Sequence, residues 1–404
     1  MRRVVITGVG VISGLGNNAA EFWDALSAGR SGIGPITKAD MTDIRYKNAA
    51  EVRGFDETQH FEDKMLLWLD PFSHYGIVSA REAITDSGIE FTQTLRDKTG
   101  VITGNCLGGK TTESDLYKKF YIDKQERYPP TAIPRAMANA VSSHVCIEFG
   151  FTGATFTTST ACSSANHALG QAFWLVRQGS LDVAIVGGSE APICYGNLRA
   201  WETMRVVSPD TCRPFSKDRT GMILGEGGAM FVMEELEMAQ ARGARIYAEI
   251  CGFGMSADAH HLTMPLAAGA AKAMREAVAD ANLKPEQVGY INAHGTATQA
   301  NDPMESEAIR MVFGDHTDNI HVSSTKSMHG HTLGAAGAIE GAATVLGLHH
   351  GLLPPNANFN EPDPECNINV IQNVALAAEP EAAISNSFAF GGLNAVVAFK
   401  RWDG

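Results

Sequence analysis

Thr158-Ser159-Thr160-Ala161-Cys162-Ser163-Ser164-Ala165 sets one thiol among small residues, with the strand-like run Ala154–Thr157 before it and the helical stretch Ser164–Gln178 after it. A thiol at a strand-to-helix turn meets backbone N–H groups and the positive end of a helix, both of which favour a thiolate. The same turn lifts the sulfur above a sheet edge, as nucleophile elbows do. A buried structural cysteine fits these eight residues equally well, since free cysteine packs as a small hydrophobe. Either way the stretch reads strand, turn, helix.

Outward from it the same alternation continues. Strands are expected at Val4–Thr7, Val101–Thr103, Val183–Val186, Ile246–Cys251, Tyr290–Asn292, His321–Ser323 and Ala395–Lys400. Helices are expected at Glu21–Ala28, Pro71–Ser87, Ala270–Ala281 and Ala338–Gly347. Short β-branched runs between amphipathic stretches indicate an α/β layered protein whose sheets are largely buried. At 404 residues the chain exceeds one ordinary hydrophobic core, so two similar halves are expected. Met233–Glu237, running to Arg242-Gly243, reads as a charged helix and turn, and the boundary is placed after it, giving halves 1–250 and 251–404.

Composition is that of an ordinary globular chain, 44% hydrophobic and 19% charged. The balance of 32 Lys+Arg against 45 Asp+Glu gives a formal charge of −13, which argues against nucleic acid as a partner. No run approaches the length of a membrane span. Met1-Arg2-Arg3 before the apolar Val4–Gly16 has the outline of a signal peptide, but Gly8, Gly10, Gly14 and Gly16 break it. A buried strand leading into a turn, in a cytoplasmic protein, is the expectation. Seven cysteines, widely spaced and without a Cys-x-x-Cys pair, read as reduced thiols.

Gly8-Val9-Gly10-Val11-Ile12-Ser13-Gly14 suggests a dinucleotide fold, yet its spacing is Gly-x-Gly-x-x-x-Gly and no acidic residue follows at the required distance. A tight strand-to-helix turn is expected there instead. Asn292-Ala293-His294-Gly295-Thr296 and Ser327-Met328-His329-Gly330-His331-Thr332-Leu333-Gly334 each place histidine in a glycine-flanked loop at a strand end. A lone loop histidine is usually a surface residue; two in the same setting point to a site. The pairs His329/His331, His260/His261 and His349/His350 lack zinc-ligand spacing, so no metal is expected. Asn386-Ser387-Phe388-Ala389-Phe390-Gly391-Gly392-Leu393-Asn394 suits either backbone N–H groups aimed at a ligand or a tight hairpin with packed aromatics.

In order, these segments resemble the β-ketoacyl-acyl carrier protein synthases of the thiolase superfamily, almost end to end. Cys162, His294 and His331 carry the resemblance, with Cys212-Arg213-Pro214-Phe215-Ser216, Gly225-Glu226-Gly227, Asn301-Asp302, Glu305 and Lys326. The second histidine marks the synthase II branch, and the His294–Asp302 and Ser327–His331 segments resemble nodulation-type and polyene-type specialised synthases. The resemblance implies a thiolase-like five-layer α-β-α-β-α sandwich, no cofactor, and a decarboxylative condensation of an acyl chain with malonyl-acyl carrier protein in fatty acid, polyene or polyketide-type elongation. It implies Cys162 as acylated nucleophile, His294 and His331 at the malonyl thioester, and Lys326 with Glu340 as their support, joined by Asp302 and Glu305. The oxyanion hole would be the N–H groups of Cys162 and Phe390. Asp258, His261, Phe388, Ala389 and Phe390 would gate the site, and Leu107, Ala132, Trp201 and Leu333 would line the acyl pocket. The implied partners are acyl carrier protein and either an identical chain or a chain-length-factor-like subunit.

Three departures from the family pattern stand out: Met222 for a common phenylalanine, Ala389 for a glycine, and Leu393 for a threonine. At the carrier-docking positions Lys64 and Arg205 remain, but Leu67 and Trp68 replace basic residues. Three rival readings are a chain-length subunit, a thiolase and a zinc hydrolase. The first would lack the nucleophile, the second would need another cysteine within Phe388–Asn394, and the third would need metal ligands.

Overall fold

A computed structural model describes all 404 residues. Its main sheet has ten strands: β1 Val4–Ser13, β2 Thr99–Gly104, β3 Phe156–Thr158, β4 Val183–Glu190, β5 Gly227–Glu235, β6 Ala248–Ala257, β7 Val288–Asn292, β8 His321–Ser323, β9 Ala382–Ala389 and β10 Leu393–Arg401. Their spatial order is β8-β7-β9-β10-β6-β1-β5-β4-β2-β3. The order is a duplication. In the first half β1, β5 and β4 pair antiparallel while β4, β2 and β3 pair parallel. In the second, β6, β10 and β9 are antiparallel while β9, β7 and β8 are parallel. The halves join where Val4–Ile6 of β1 runs antiparallel to Ala248–Ile250 of β6.

Five helices bear on the site: α1 Pro71–Ser87, α2 Ser164–Arg177, α3 Ala267–Asp280, α4 Asn301–Phe313 and α5 Ala336–His350. Helix α1 covers β1, β4 and β5 on one outer face, and α3 covers β6 and β10 on the other. Helices α2 and α5 pack on each other between the two halves. The layering is therefore α-β-α-β-α, as the resemblance implies. A helix in the middle layer must be apolar all round, and α5 is buried at every position from Ala336 to Leu348. Helix α1 has clear ends: Asp70 accepts from the Phe72 N–H at 3.1 Å, Pro71 occupies the first turn, and Gly88 closes it at φ +61°. No helix is long and apolar enough to cross a membrane.

Two expectations from sequence fail here. Gly8 and Gly10 do not open a turn; β1 continues through them to Ser13, buried at all ten positions. A Cβ at Gly8 would stand 2.0 Å from the Ala83 carbonyl oxygen, and one at Gly10 the same distance from that of Ser79. These glycines let α1 lie close on the sheet, the second use of a missing side chain. Likewise Met233–Glu235 end strand β5, and helix begins only at Leu236. Both Met233 and Glu234 are buried in the sheet, where packing overrides helix propensity.

Candidate active site

Cys162 sits where β3 has ended and α2 begins, in a short turn Ala161–Ser163. Ala161 has φ +50°, a left-handed conformation that costs a β-carbon residue about 1–2 kcal/mol and needs local support. The small hydroxyl residues supply it. The Ser164 hydroxyl donates to the Ala161 carbonyl at 2.7 Å and accepts from the Thr160 N–H at 2.8 Å, while the Ser163 hydroxyl donates to the Thr160 carbonyl at 2.9 Å. The sulfur is almost fully buried but lines a cavity of about 320 Å³, at the small end of the roughly 300–1,000 Å³ of ligand pockets. Burial pushes the Cys162 thiol up to about 11, against the opposing pull of the Lys326 charge and the backbone N–H groups of Phe390 and Cys162 itself. The backbone N–H groups of the turn and the Lys326 charge thus favour the thiolate, while desolvation opposes it.

His294 and His331 line the same cavity, with ring centroids 5.4 Å apart and planes at 85°. Both are buried, and burial followed by the nearby Lys326 charge holds each well below the usual histidine range. They are therefore neutral at pH 7. Their tautomers follow from their partners. The Leu333 N–H donates to His331 Nδ1 at 3.2 Å, so that nitrogen is an acceptor and the proton lies on Nε2. The Lys326 ammonium stands 3.3 Å from His294 Nδ1 and 2.8 Å from the His294 carbonyl oxygen. An ammonium has no lone pair, so His294 also carries its proton on Nε2. Two neutral N–H donors result.

The supporting residues are assembled around this pair. Lys326 and Glu340 are both wholly buried and ion-paired. Glu305 accepts from the His294 N–H at 2.8 Å, the Gly295 N–H at 2.7 Å and the Asn386 amide at 3.1 Å. Asp302 accepts from Phe215 N–H at 2.8 Å and Ala297 N–H at 3.1 Å, pinning the loop at Ala297, whose φ is +62°. Burial pushes Asp302 and Glu340 up to about 7 each.

The expected gating residues form one stitched unit. Asp258 accepts from Asn394 Nδ2 at 2.7 Å and from the Leu266 N–H at 3.0 Å, and its own N–H donates to Gly392. The Gly391 N–H donates to Leu262, tying the loop of His261 to the Phe390–Gly392 hairpin turn. Phe390 is 37% exposed and stacks on Trp201 at 6.1 Å, whereas Phe388 is buried with its ring against His294. Ala389 is buried in strand β9 and lines the cavity.

Of the four acyl-pocket residues, only Trp201 lines this cavity. Leu107 and Leu333 instead belong to an apolar cluster with Leu224 and Met222 that Trp201 joins to the cavity, and Ala132 belongs to neither. Arg205 stands exposed at the cavity rim, and Lys64 is exposed on a short helical turn, Asp63–Leu66. Leu67 and Trp68 are 61% and 43% exposed, whereas Leu69 is buried. His329 is buried against Thr325 and the Gly330 carbonyl, His261 lines the mouth of the Cys162 cavity, His349/His350 lie at the end of α5, and no three metal-ligating side chains converge.

Sequence reading passed over Glu190, at the end of β4. It is wholly buried, and its carboxylate accepts from Cys106 N–H at 2.9 Å, Asn105 Nδ2 at 3.0 Å, and Leu107 and Gly334 N–H at 3.2 Å each. A charged residue two positions after the apolar run Val183–Gly188 was the available signal.

Residues 1–239 match the family model "Beta-ketoacyl synthase, N-terminal domain", and residues 247–360 match "Beta-ketoacyl synthase, C-terminal domain". Nodulation protein E of Rhizobium sp. (strain N33) is 44% identical over 400 residues, covering 99% of each chain. The 3-oxoacyl-[acyl-carrier-protein] synthase 2 of Synechocystis sp. is 41% identical over 411 residues, 100% of this chain and 99% of that one. Among solved structures, the ishigamide ketosynthase/chain length factor superposes with a TM-score of 0.94 at 36% identity over 99% of each chain. With a cavity that joins one thiol to two neutral imidazole donors, and matches of this extent, the chain belongs to the β-ketoacyl synthase family of condensing acyltransferases.

Proposed function

We propose that this chain condenses an acyl group held on Cys162 with a malonyl unit carried by acyl carrier protein, releasing β-ketoacyl carrier protein and carbon dioxide. One observation carries the reading: His294 and His331 line the cavity of Cys162 with each Nδ1 engaged by Lys326 or the Leu333 N–H, which leaves Nε2 of both as the donor, beside the backbone N–H groups of Phe390 and Cys162.

In the first half-reaction the Cys162 sulfur attacks the carrier thioester, and the N–H groups of Cys162 and Phe390 hold the tetrahedral oxyanion. The thiol proton passes to the departing carrier sulfur, so the exchange is proton-neutral and a high thiol pKa is tolerable. In the second, the malonyl carboxylate leaves as carbon dioxide, and its bonding electrons form the enolate of the carrier thioester. His294 and His331 donate to that enolate oxygen. The enolate carbon attacks the acyl-Cys162 carbonyl, the new oxyanion again lies on the Cys162 and Phe390 N–H groups, and the Cys162 thiolate departs and takes up one proton. Neutral imidazoles suit this step: they stabilise charge that develops only on the reaction path.

The flanking roles follow. Lys326, Glu340, Asp302 and Glu305 hold the histidine loops, and the Asp258–His261 loop with the Phe388–Phe390 turn gates the cavity. Leu107, Trp201 and Leu333 bound the acyl chain once the apolar cluster opens, Ala132 closes its far end from across the paired protomer, and the carrier docks by Lys64 and Arg205. The division at residue 250, a cytoplasmic setting and a paired protomer complete the reading. The name of the ishigamide relative favours a chain-length-factor-like partner as the alternative to an identical one. Intact-mass and peptide analysis of the protein purified from its host tests the core of this: an acyl adduct on Cys162 supports it, and an adduct on another cysteine refutes it.

A further inference from the structure

We infer that Glu190 is a positioning residue for decarboxylation, acting through Gly334 and Leu333 on the tautomer of His331. The inference rests on the two-donor reading of the site.

The geometry runs in one short chain. His331 presents Nε2–H only because the Leu333 N–H occupies its Nδ1 at 3.2 Å. That N–H is aimed by an unusual backbone: Leu333 has φ +50° and is buried. A left-handed leucine persists only where its surroundings dictate it. Its side chain is held in the apolar cluster of Met222 and Leu224. The next peptide is held by Glu190, whose Oε2 accepts from the Gly334 N–H at 3.2 Å. A Cβ on Gly334 would lie 2.5 Å from that oxygen and 2.5 Å from the Cys106 nitrogen, so this approach requires glycine.

The carboxylate is matched to its surroundings in kind. Oε2 faces two donors, from Cys106 and Gly334, and Oε1 faces two more, from Leu107 and the Asn105 amide. Asn105 cannot turn its oxygen toward Glu190, because its Oδ1 accepts from the Gly108 N–H at 2.6 Å and its Nδ2 also donates to the Ser189 carbonyl at 2.7 Å. A glutamine in place of Glu190 would therefore set its NH2 against a pair of donors whichever way it flipped. The Leu333–Gly334 peptide would lose its anchor, and His331 would be free to carry its proton on Nδ1. None of Glu190's partners belongs to the Cys162–Phe390 oxyanion hole, so transfer of a two-carbon acetyl group, which does not need the Leu107 and Leu333 walls, should be spared.

The test separates the half-reactions. Decarboxylation of malonyl-acyl carrier protein is measured in a Cys162→Gln background, and acetyl transfer from acetyl-acyl carrier protein is measured on the native thiol. Nitrogen-15 NMR reads the His331 ring. Glu190→Gln is expected to slow decarboxylation by roughly tenfold or more, to leave acetyl transfer within about twofold, and to move the His331 proton to Nδ1. Glu190→Asp, which keeps the carboxylate, should restore part of the loss. Equal loss in both half-reactions, or no loss, with the His331 ring unchanged, overturns the inference. If the glutamine variant does not fold, the aspartate variant decides by the same split: loss confined to decarboxylation supports the inference, and anything else overturns it. Should His331 carry its proton on Nδ1 in the otherwise unsubstituted protein, the two-donor reading itself fails; Nε2–H that survives Glu190→Gln sinks the Glu190 inference alone.

Discussion

Glu340→Gln probes the buried ion pair on which the His294 tautomer depends. Lys326 and Glu340 have no exposed surface, and the other acceptors of the ammonium are the His294 carbonyl and Nδ1. Removing one member of such a pair typically costs 3–5 kcal/mol, because the remaining charge stays buried. The variant should thus be about 3–5 kcal/mol less stable in denaturant titrations with an unchanged m-value. Without the Glu340 carboxylate nothing holds the Lys326 ammonium against His294 Nδ1, so that imidazole can carry its proton on Nδ1, one enolate donor is lost, and decarboxylation should fall by about 10²–10³. A variant less than about 1 kcal/mol destabilised, decarboxylating at the native rate, would refute the charged-pair argument.

Three further outcomes are expected. Alkylation of Cys162 by iodoacetamide should accelerate about tenfold per pH unit above pH 7 without levelling off near 8.5, because burial pushes its thiol up to about 11; it should still react before Cys212 and Cys366, which burial raises to about 12. Peptide mapping against time reads both. Leu67→Arg with Trp68→Lys should fold normally, since both side chains are exposed, and should raise turnover with an acidic fatty-acid carrier in a manner suppressed by salt; unchanged turnover places docking elsewhere. Burial lowers His329 from 6.5 to about 3, so its contribution to stability is complete above pH 6.5 and is lost as the pH falls toward 3, by several kcal/mol in all. His329→Gln should flatten that acid limb in denaturant melts at stepped pH.

The sequence carried the site's chemistry further than its architecture. Cys162 was legible because strand, small residues and helix follow one another within a few positions, His294 because it follows a strand in a glycine-flanked loop, and His331 because glycines flank it, although a helical turn, Lys326–His329, separates it from its strand. Local signals of this kind survive without a fold. Gly8 and Gly10 were misread because a missing side chain serves turns and close packing equally, and only the position of α1 distinguishes them. Glu190 escaped because its donors come from residues 105–107 and from Gly334, segments that meet only across the two halves. The duplication of β1–β5 in β6–β10 lies in strand order and direction, while the side chains filling each core have diverged. The turn and its N–H groups were legible in sequence, whereas the burial that opposes them at Cys162 comes from the fold.

The central claim is that two histidines, and not the nucleophile, drive loss of carbon dioxide, and Cys162→Gln tests it most directly. Its amide can occupy the oxyanion hole of Cys162 and Phe390 as an acyl thioester would, leaving His294 and His331 to meet the enolate. Release of labelled carbon dioxide from malonyl-acyl carrier protein should continue in this variant with no condensation product, and should fall by about 10²–10³ when His294→Ala or His331→Ala is added. Release that stops with Cys162→Gln alone while malonyl carrier still binds, or that persists undiminished without either histidine, would contradict the account.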